Sequence, residues 1–460
     1  MFKRKFFTTI FALFLISSPV LAYKKMTLTT FRGNFSGPYI TGEAGFTVMN
    51  TEINTAASLQ GDGSSLGHIL WGHMSGTSPT ARLGAFYGFQ FEPDYFLGVG
   101  LTAAYQNAVT SMQAYSDNTA TQHYLKDYQS AKLQFNFGAF LQPGILISPS
   151  TLVFLSAGAL YNQFKYHADT EGERPIFVVA PHSGYIASDK TKWLWGWGLG
   201  VGLEHFVQQN IAVIFQYLYT STKNENVDKV LTNVPTNVSL ISNESEFHSH
   251  TNQFFAGIAY YFEGKVDSNM KPRLGGFSGF SVSVYTGILN QLTRVTGRYT
   301  RGASIDISGA SIQPITDSPT NTNINFGLSL AYGELIEDYY VGARASIEST
   351  NSPTQVTRDQ TEVTLAFAVP TIYRNYQVKL YNYGALDVLI GRPVFHSNMI
   401  YILGGAAYGY YKISGTVIEP TRAFASVYKT GALWGIRAGL GFSTKITEHA
   451  SLSLEDVFTL

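Results

Sequence analysis

The stretch Tyr39-Ile40-Thr41-Gly42-Glu43-Ala44-Gly45-Phe46-Thr47-Val48 places Ile40, Ala44, Phe46 and Val48 on one side of an extended chain and Tyr39, Thr41, Glu43 and Thr47 on the other. A period of two belongs to a β-strand, whose successive side chains point to opposite faces. The same dyad sets Leu133, Phe135, Phe137 and Ala139 against Lys132, Gln134, Asn136 and Gly138, and Ile211, Val213, Phe215, Tyr217 and Tyr219 against Ala212 and Gln216. Working outward, strands are predicted near 38–51, 81–92, 95–112, 128–148, 151–168, 191–207, 210–223 and 250–262.

Composition fits that reading. The chain has 460 residues, 31 Lys+Arg against 31 Asp+Glu, 13% charged and 45% apolar residues, with 44 Gly, 29 Tyr, 32 Phe and no Cys. A soluble domain carries nearer ~25% charge, so the balance is not that of an ordinary cytoplasmic protein, and the apolar share argues against disorder. The length favours two or more domains. Without cysteine there is no disulfide framework, thiol catalysis or Cys-ligated metal. The neutral balance leaves no electrostatic footprint for nucleic acid.

Connections alternate in length. Glu92-Pro93-Asp94, Ser148-Pro149-Ser150 and Gln208-Gln209-Asn210 are tight turns, whereas 52–80, 113–127, 169–190 and 224–249 are long and polar. Short turns on one side and long loops on the other are the pattern of an antiparallel up-and-down transmembrane β-barrel. A soluble lipocalin-like barrel would put its polar residues outside. The aromatic content and the run Phe254, Ala256, Ile258, Tyr260, Phe262 favour lipid outside. Closure is required because every backbone group at membrane depth needs a partner.

The unit recurs. Phe35-Ser36-Gly37 returns as Phe277-Ser278-Gly279, Phe135-Asn136-Phe137-Gly138 as Tyr381-Asn382-Tyr383-Gly384, Ala157-Gly158-Ala159-Leu160-Tyr161 as Gly404-Gly405-Ala406-Ala407-Tyr408, and Trp195-Gly196 with Gly200 and Gly202 as Trp434-Gly435 with Gly439 and Gly441. Four matches in order mark a duplication. The domains expected are a first barrel at 23–264, a linker at 265–276 and a second barrel at 277–460.

Met1 to Lys5 is basic, Phe6 to Ile16 is apolar, and Val20-Leu21-Ala22 supplies small residues at a cleavage site. This reads as a secretory signal at 1–22, cut between Ala22 and Tyr23. A retained anchor is the alternative, but the apolar core is short for a span. Losing Lys3, Arg4 and Lys5 leaves 28 basic against 31 acidic residues in the exported chain.

The strand Trp195 to Gly202, the strand ending Tyr217-Leu218-Tyr219, and the closing strand ending Tyr260-Tyr261-Phe262 resemble the small eight-stranded outer-membrane β-barrels, the OmpA-like, opacity-type surface proteins. The resemblance implies a Gram-negative outer membrane and insertion by the barrel-assembly machinery, which recognises a closing strand ending in an aromatic residue, here Tyr260 and Phe262. The second copy departs from the pattern. Ala450 to Leu460 aligns with Ile211 to Tyr219, strand seven, and an eighth strand is missing, so truncation is expected; Asp456 on the lipid face points the same way. Thr361 to Val369 also alternates and reads as a loop extension.

In strand six Gly196, Gly198, Gly200 and Gly202 face inward, which suits a cramped lumen. The lumenal charges Glu43, Lys132 and Glu204, and in the second copy Arg437 with Glu455, are expected to pair across the interior. Trp193, Trp195 and Trp197, with Trp434 in the second copy, read as interfacial aromatics. His248-Ser249-His250 beside Glu244 and Glu246 holds the residue types of a hydrolase triad, but a triad is a matter of geometry and a polar rim is the simpler reading. His68 and His73 lack a third metal ligand. Gly61-Asp62-Gly63 lacks the Lys-Ser/Thr of a phosphate loop.

No catalysis, cofactor or metal is therefore expected. The leading function is a surface protein that is structural or binds, adhesin-like, through its long outer loops, including 301–321. Its expected partners are outer-membrane lipid and lipopolysaccharide, the assembly machinery and an extracellular ligand, with no nucleic acid. The alternative is a single porin-like barrel made from both copies; a soluble export is a further rival.

Overall fold

The computed structural model describes residues 6–15, 34–61, 64–91, 94–118, 123–148, 150–175, 181–206, 210–231, 241–263, 277–293, 295–300, 312–317, 320–364, 367–394, 398–418, 424–445 and 450–460. The predicted cleavage pair Ala22 and Tyr23 and the linker 265–276 lie outside them. Among the described residues every regular element is a strand. These are β1 (Phe6–Leu15), β2 (Gly37–Gly61), β3 (Ser64–Phe91), β4 (Tyr95–Asn118), β5 (His123–Ser148), β6 (Thr151–Pro175), β7 (Pro181–Phe206), β8 (Ile211–Thr222), β9 (Glu225–Leu231), β10 (Ile241–Tyr261), β11 (Gly279–Thr293), β12 (Val295–Thr300), β13 (Ile312–Asp317), β14 (Thr320–Ile336), β15 (Tyr339–Thr364), β16 (Phe367–Val394), β17 (Asn398–Ile418), β18 (Phe424–Lys445) and β19 (Ser451–Thr459).

Strands β2 to β8 pair in sequence, β9 prolongs the edge of β8, and β10 returns to pair with β8 on one side and β2 on the other. All 21 residues of β10 are in register with β2, from Tyr261 opposite Tyr39 to Ile241 opposite Leu59. The first copy therefore closes on itself as an eight-stranded antiparallel barrel. A single large pore made from both copies would need β10 to pair with the second copy instead, so that alternative is overturned.

The second copy supplies seven consecutive strands, β11, β14, β15, β16, β17, β18 and β19, with β12 and β13 forming a separate hairpin. Between β19 and β11 lies β1, antiparallel to both. The leader's apolar run is thus a strand in the full-length chain. Its Phe, Thr and Ile residues favour strands, and the slot offers two rows of backbone groups that need partners. The dyad at Thr361 to Val369 falls at the tip of the β15–β16 hairpin.

The segments expected as loops are largely continuations of the strands. β3 and β16 each have 28 residues, and β5 and β15 each have 26, whereas about 9–11 residues cross a bilayer. The surplus rises on the side of the long connections. There the backbone of β3 pairs with that of β15, Leu66 with Glu362 and Trp71 with Thr357, joining the tall hairpins of the two copies.

The repeated Phe-Ser-Gly motif performs one task twice. Gly37 and Gly279 have φ of 96° and 106°, a region that disfavours any side chain. The Ser36 hydroxyl accepts the Gln90 N–H at 3.2 Å, and the Ser278 hydroxyl accepts that of Leu335 at 3.1 Å. Each motif folds its Phe inward, Phe35 into the first core and Phe277 against the second.

Candidate functional site

Any conduit or binding site inside either barrel must be built from the inward faces, so those come first. At the periplasmic end of the first barrel Phe35 packs against Phe206 at 4.6 Å and Tyr39 stacks on Tyr261 at 4.5 Å and on Phe86 at 5.2 Å, all buried. Above this aromatic floor Arg82 pairs with Glu43, bonds Gln216 and sits 3.9 Å over the Phe255 ring. Thr41 donates to Glu43 at 2.9 Å, and Gln216 donates to Ser156 at 2.7 Å. Higher still, Thr47 and Thr80 are 2.6 Å apart and Thr51 bonds Ser249 at 3.0 Å. Met49, Ile53, Met74, Phe164, Tyr166 and Phe247 then form a second apolar plug. The polar layer is sealed at both ends.

The second barrel carries a larger charge network. Arg344 donates to Asp387 at 3.0 Å and to Glu455 at 2.6 Å, while Arg437 lies 3.2 Å from Asp387 and 3.5 Å from Glu348. Asn325 and Tyr383 donate to Glu348 at 2.6 and 2.5 Å, and Tyr401 donates to Glu455. Two cations and three carboxylates thus neutralise one another inside the wall, all buried, although Asp387 Oδ1 and Arg437 Nε meet at ion-pair distance without a hydrogen bond.

The expected lumenal charges distribute differently from the expectation. Glu43 faces inward, but its partner is Arg82, which the alternation of Thr80, Arg82, Gly84 and Phe86 against Leu83, Ala85 and Tyr87 also makes readable. Glu204 is buried at the periplasmic end with no cation within ion-pair distance among the described residues. Lys132 is on the outer face. A register shift between Leu133 and Phe135 reverses the alternation, so that Ala131 and Leu133 point inward above it and Asn136 below it. Arg437 and Glu455 both enter the second network, yet Glu455 bonds Arg344 rather than Arg437.

Trp195 and Trp197 are exposed on the outer face with Trp193 half-buried, and Tyr161 lies 5.0 Å from Trp193 and 4.9 Å from Trp195. Trp434 is likewise exposed, 4.8 Å from Tyr408. Tyr260 and Phe262 face outward at the foot of β10, edge to face at 5.3 Å. The triad residue types separate across the sheet. Ser249 points into the lumen and bonds Thr51, while His248 lies on the other face, 2.7 Å from Asn224. The side chains of His68 and His73 and the loop tip 301–311 lie outside the described residues, and no metal-ligand cluster occurs among those described.

The family model for the outer membrane protein beta-barrel domain matches residues 8–262. The chain belongs to that family. The matched span is more than half of the sequence and ends at the closing strand of the first barrel. No curated protein matches the chain. Among solved structures it is similar to Ail, the attachment invasion locus protein of Yersinia pestis, at 13% identity over 48% of this chain and 99% of that one, with a TM-score of 0.18. It is also similar to Neisserial surface protein A, at 13% over 47% and 97%, TM-score 0.18, and to the Pseudomonas putida toluene transporter TodX, at 10% over 92% and 88%, TM-score 0.21. Likenesses this remote say nothing of function. Family and strand pairing together make the chain an outer-membrane β-barrel protein with two barrel copies.

Proposed function

We propose that the protein is a non-catalytic, adhesin-like surface protein that binds an extracellular ligand through the tall hairpins of its two barrels. The observation that carries this reading is the contrast between filled lumens and strands two to three times longer than a bilayer needs. Side chains fill the first interior and a buried ion network occupies the second, so the surplus chain is spent outside, where recognition sites on rigid scaffolds are found. The pairing of β3 with β15 stiffens that crown.

Lipopolysaccharide is the proposed lipid partner. Lys132 and Lys165 are directly opposite each other across β5 and β6, on the outward side just above Trp193 and Tyr161. Like charges in that position are destabilising by themselves; Lys165 has the exposed Asp189 at 3.9 Å, and the outward pair still suits an anionic headgroup. Export follows from the leader, with cleavage after Ala22 and insertion by the barrel-assembly machinery.

The test is adhesion of cells displaying the chain to immobilised host extracellular matrix and to epithelial cells, against a version with the hairpins 55–73 and 352–372 each shortened to a tight turn. Loss of adhesion with unchanged heat-modifiable mobility is the expected result. Adhesion equal to that of barrel-free cells would refute the binding role and leave a structural one.

A further inference from the structure

The outward face of a lone barrel in lipid is exposed, and on β3 and β4 it is, at Leu83, Val99 and Leu101. On β8 the alternation disappears: Ala212, Ile214, Gln216 and Leu218 are buried on the lumenal side, and Phe215 and Tyr217 are buried on the other. The second barrel covers them. Phe215 stacks on Phe442 at 4.9 Å, Leu203, Phe254 and Leu454 complete the buried cluster, and Val153 and Ile400 pack at its margin. At the periplasmic rim His205 is 2.6 Å from Asn398 through one ring nitrogen and 2.8 Å from Thr151 through the other.

These residues are related by the internal repeat. Aligning Trp195-Gly196 with Trp434-Gly435 places Leu203 on Phe442 and His205 on Thr444; continued into the last strand it places Val213 and Phe215 on Leu452 and Leu454. The Ala157-Gly158 match with Gly404-Gly405 places Thr151 and Val153 on Asn398 and Ile400. The strand registers agree: Val153, Leu203 and Phe215 form one row across three strands, and Ile400, Phe442 and Leu454 form the equivalent row. Phe215 therefore meets the counterpart of Leu203, and Asn398, the counterpart of Thr151, meets His205. A surface that meets its own equivalent is the defining property of a two-fold, isologous contact.

We infer that the two barrels are an internal dimer, docked side by side in the membrane through the same face of strands five to seven in each copy, about a pseudo-two-fold axis along the membrane normal. The partner of that face is the other copy rather than lipid. The contact between the two periplasmic rims through His205 and Asn398 keeps the barrels co-oriented, as an axis along the normal requires. Phe254, the Phe46–Phe458 contact at 5.5 Å and the β3–β15 pairing lie outside the symmetry, because they draw on the eighth, first and second strands of the first copy. The linkage makes the second copy a resident at high effective concentration, so this face is filled without a second chain.

Because the sequence contains no cysteine, paired substitutions report the contact directly. In the full-length chain in outer-membrane vesicles, Phe215→Cys with Phe442→Cys, and the reciprocal Leu203→Cys with Leu454→Cys, are oxidised or treated with a short bismaleimide. Both pairs are expected to give an internal cross-link, read as a linked peptide pair in a monomer-sized band. The outward pair Leu101→Cys with Phe326→Cys, both exposed and outside the docking cluster, is expected to give at least tenfold less. Cross-links between separate chains, or yields no higher than the control in molecules that retain heat-modifiable mobility, would overturn docking within the chain. A link from one pair but not its reciprocal would overturn the two-fold arrangement.

Discussion

Replacing Arg82 tests how the first lumen is held together. Its side chain is 3% exposed and that of Glu43 is 1%, so Arg82→Met leaves a carboxylate buried without its cation. Breaking a buried pair from one side costs about 3–5 kcal/mol. The lost bond to Gln216 adds about 1 kcal/mol. Replacing both partners, Arg82→Met with Glu43→Gln, removes the stranded charge and is expected to fall within about 1.5 kcal/mol of the parent. The assay is urea unfolding of the protein refolded into lipid vesicles, in a Trp434→Phe background so that the remaining tryptophans, all in the first copy, report on that barrel. A single variant within about 1 kcal/mol of the parent, or a double variant as unstable as the single, would show that Glu43 is not held by Arg82 and that the lumen is solvated.

Other expectations are simpler to state. In planar bilayers the full chain gives no large, stable conductance steps; such steps would contradict the sealed lumens. A Cβ on Gly202 would stand 2.2 Å from the buried Phe154 ring, whereas one on Gly404 meets nothing within 4 Å; Gly202→Val therefore abolishes the folded, heat-modifiable band and Gly404→Ala leaves it intact. N-terminal sequencing of the outer-membrane form begins at Tyr23, and an intact Met1 would instead keep β1 in the mature barrel. Asp456 is 3% exposed and its Oδ1 has no hydrogen-bond partner, so Asp456→Asn raises the urea midpoint followed by Trp434, by about 1–3 kcal/mol in stability.

The strand dyad, the duplication and the count of eight and then seven strands were legible in the sequence, because lipid outside and a cramped lumen impose alternation on each crossing segment. Two features were hidden for identifiable reasons. The register shift beside Leu133 moves Lys132 to the other face, and a bulge leaves the residue types on either side unchanged. Beyond the bilayer both faces of a strand meet water, so the tall hairpins lose their alternation and resemble loops in composition. The charge partners were half legible: Glu455 and Arg437 were identifiable as inward, but the choice of Arg344 for Glu455 depends on distances across the lumen. The docking face had no signature, since Phe215 against Phe442 is as apolar as Phe215 against an acyl chain.

The sealed interiors also separate two quantities that open barrels tie together. Every porin inserted into an outer membrane widens the route for bile salts, detergents and small antibiotics, so its copy number is limited by what it lets in. A chain whose first barrel is filled by an aromatic floor, an ion pair and an apolar plug, and whose second holds a buried ion network, adds area to the envelope without an open lumen. Its density on the cell can then be set by the demands of contact with the surroundings, with the permeability barrier unaffected.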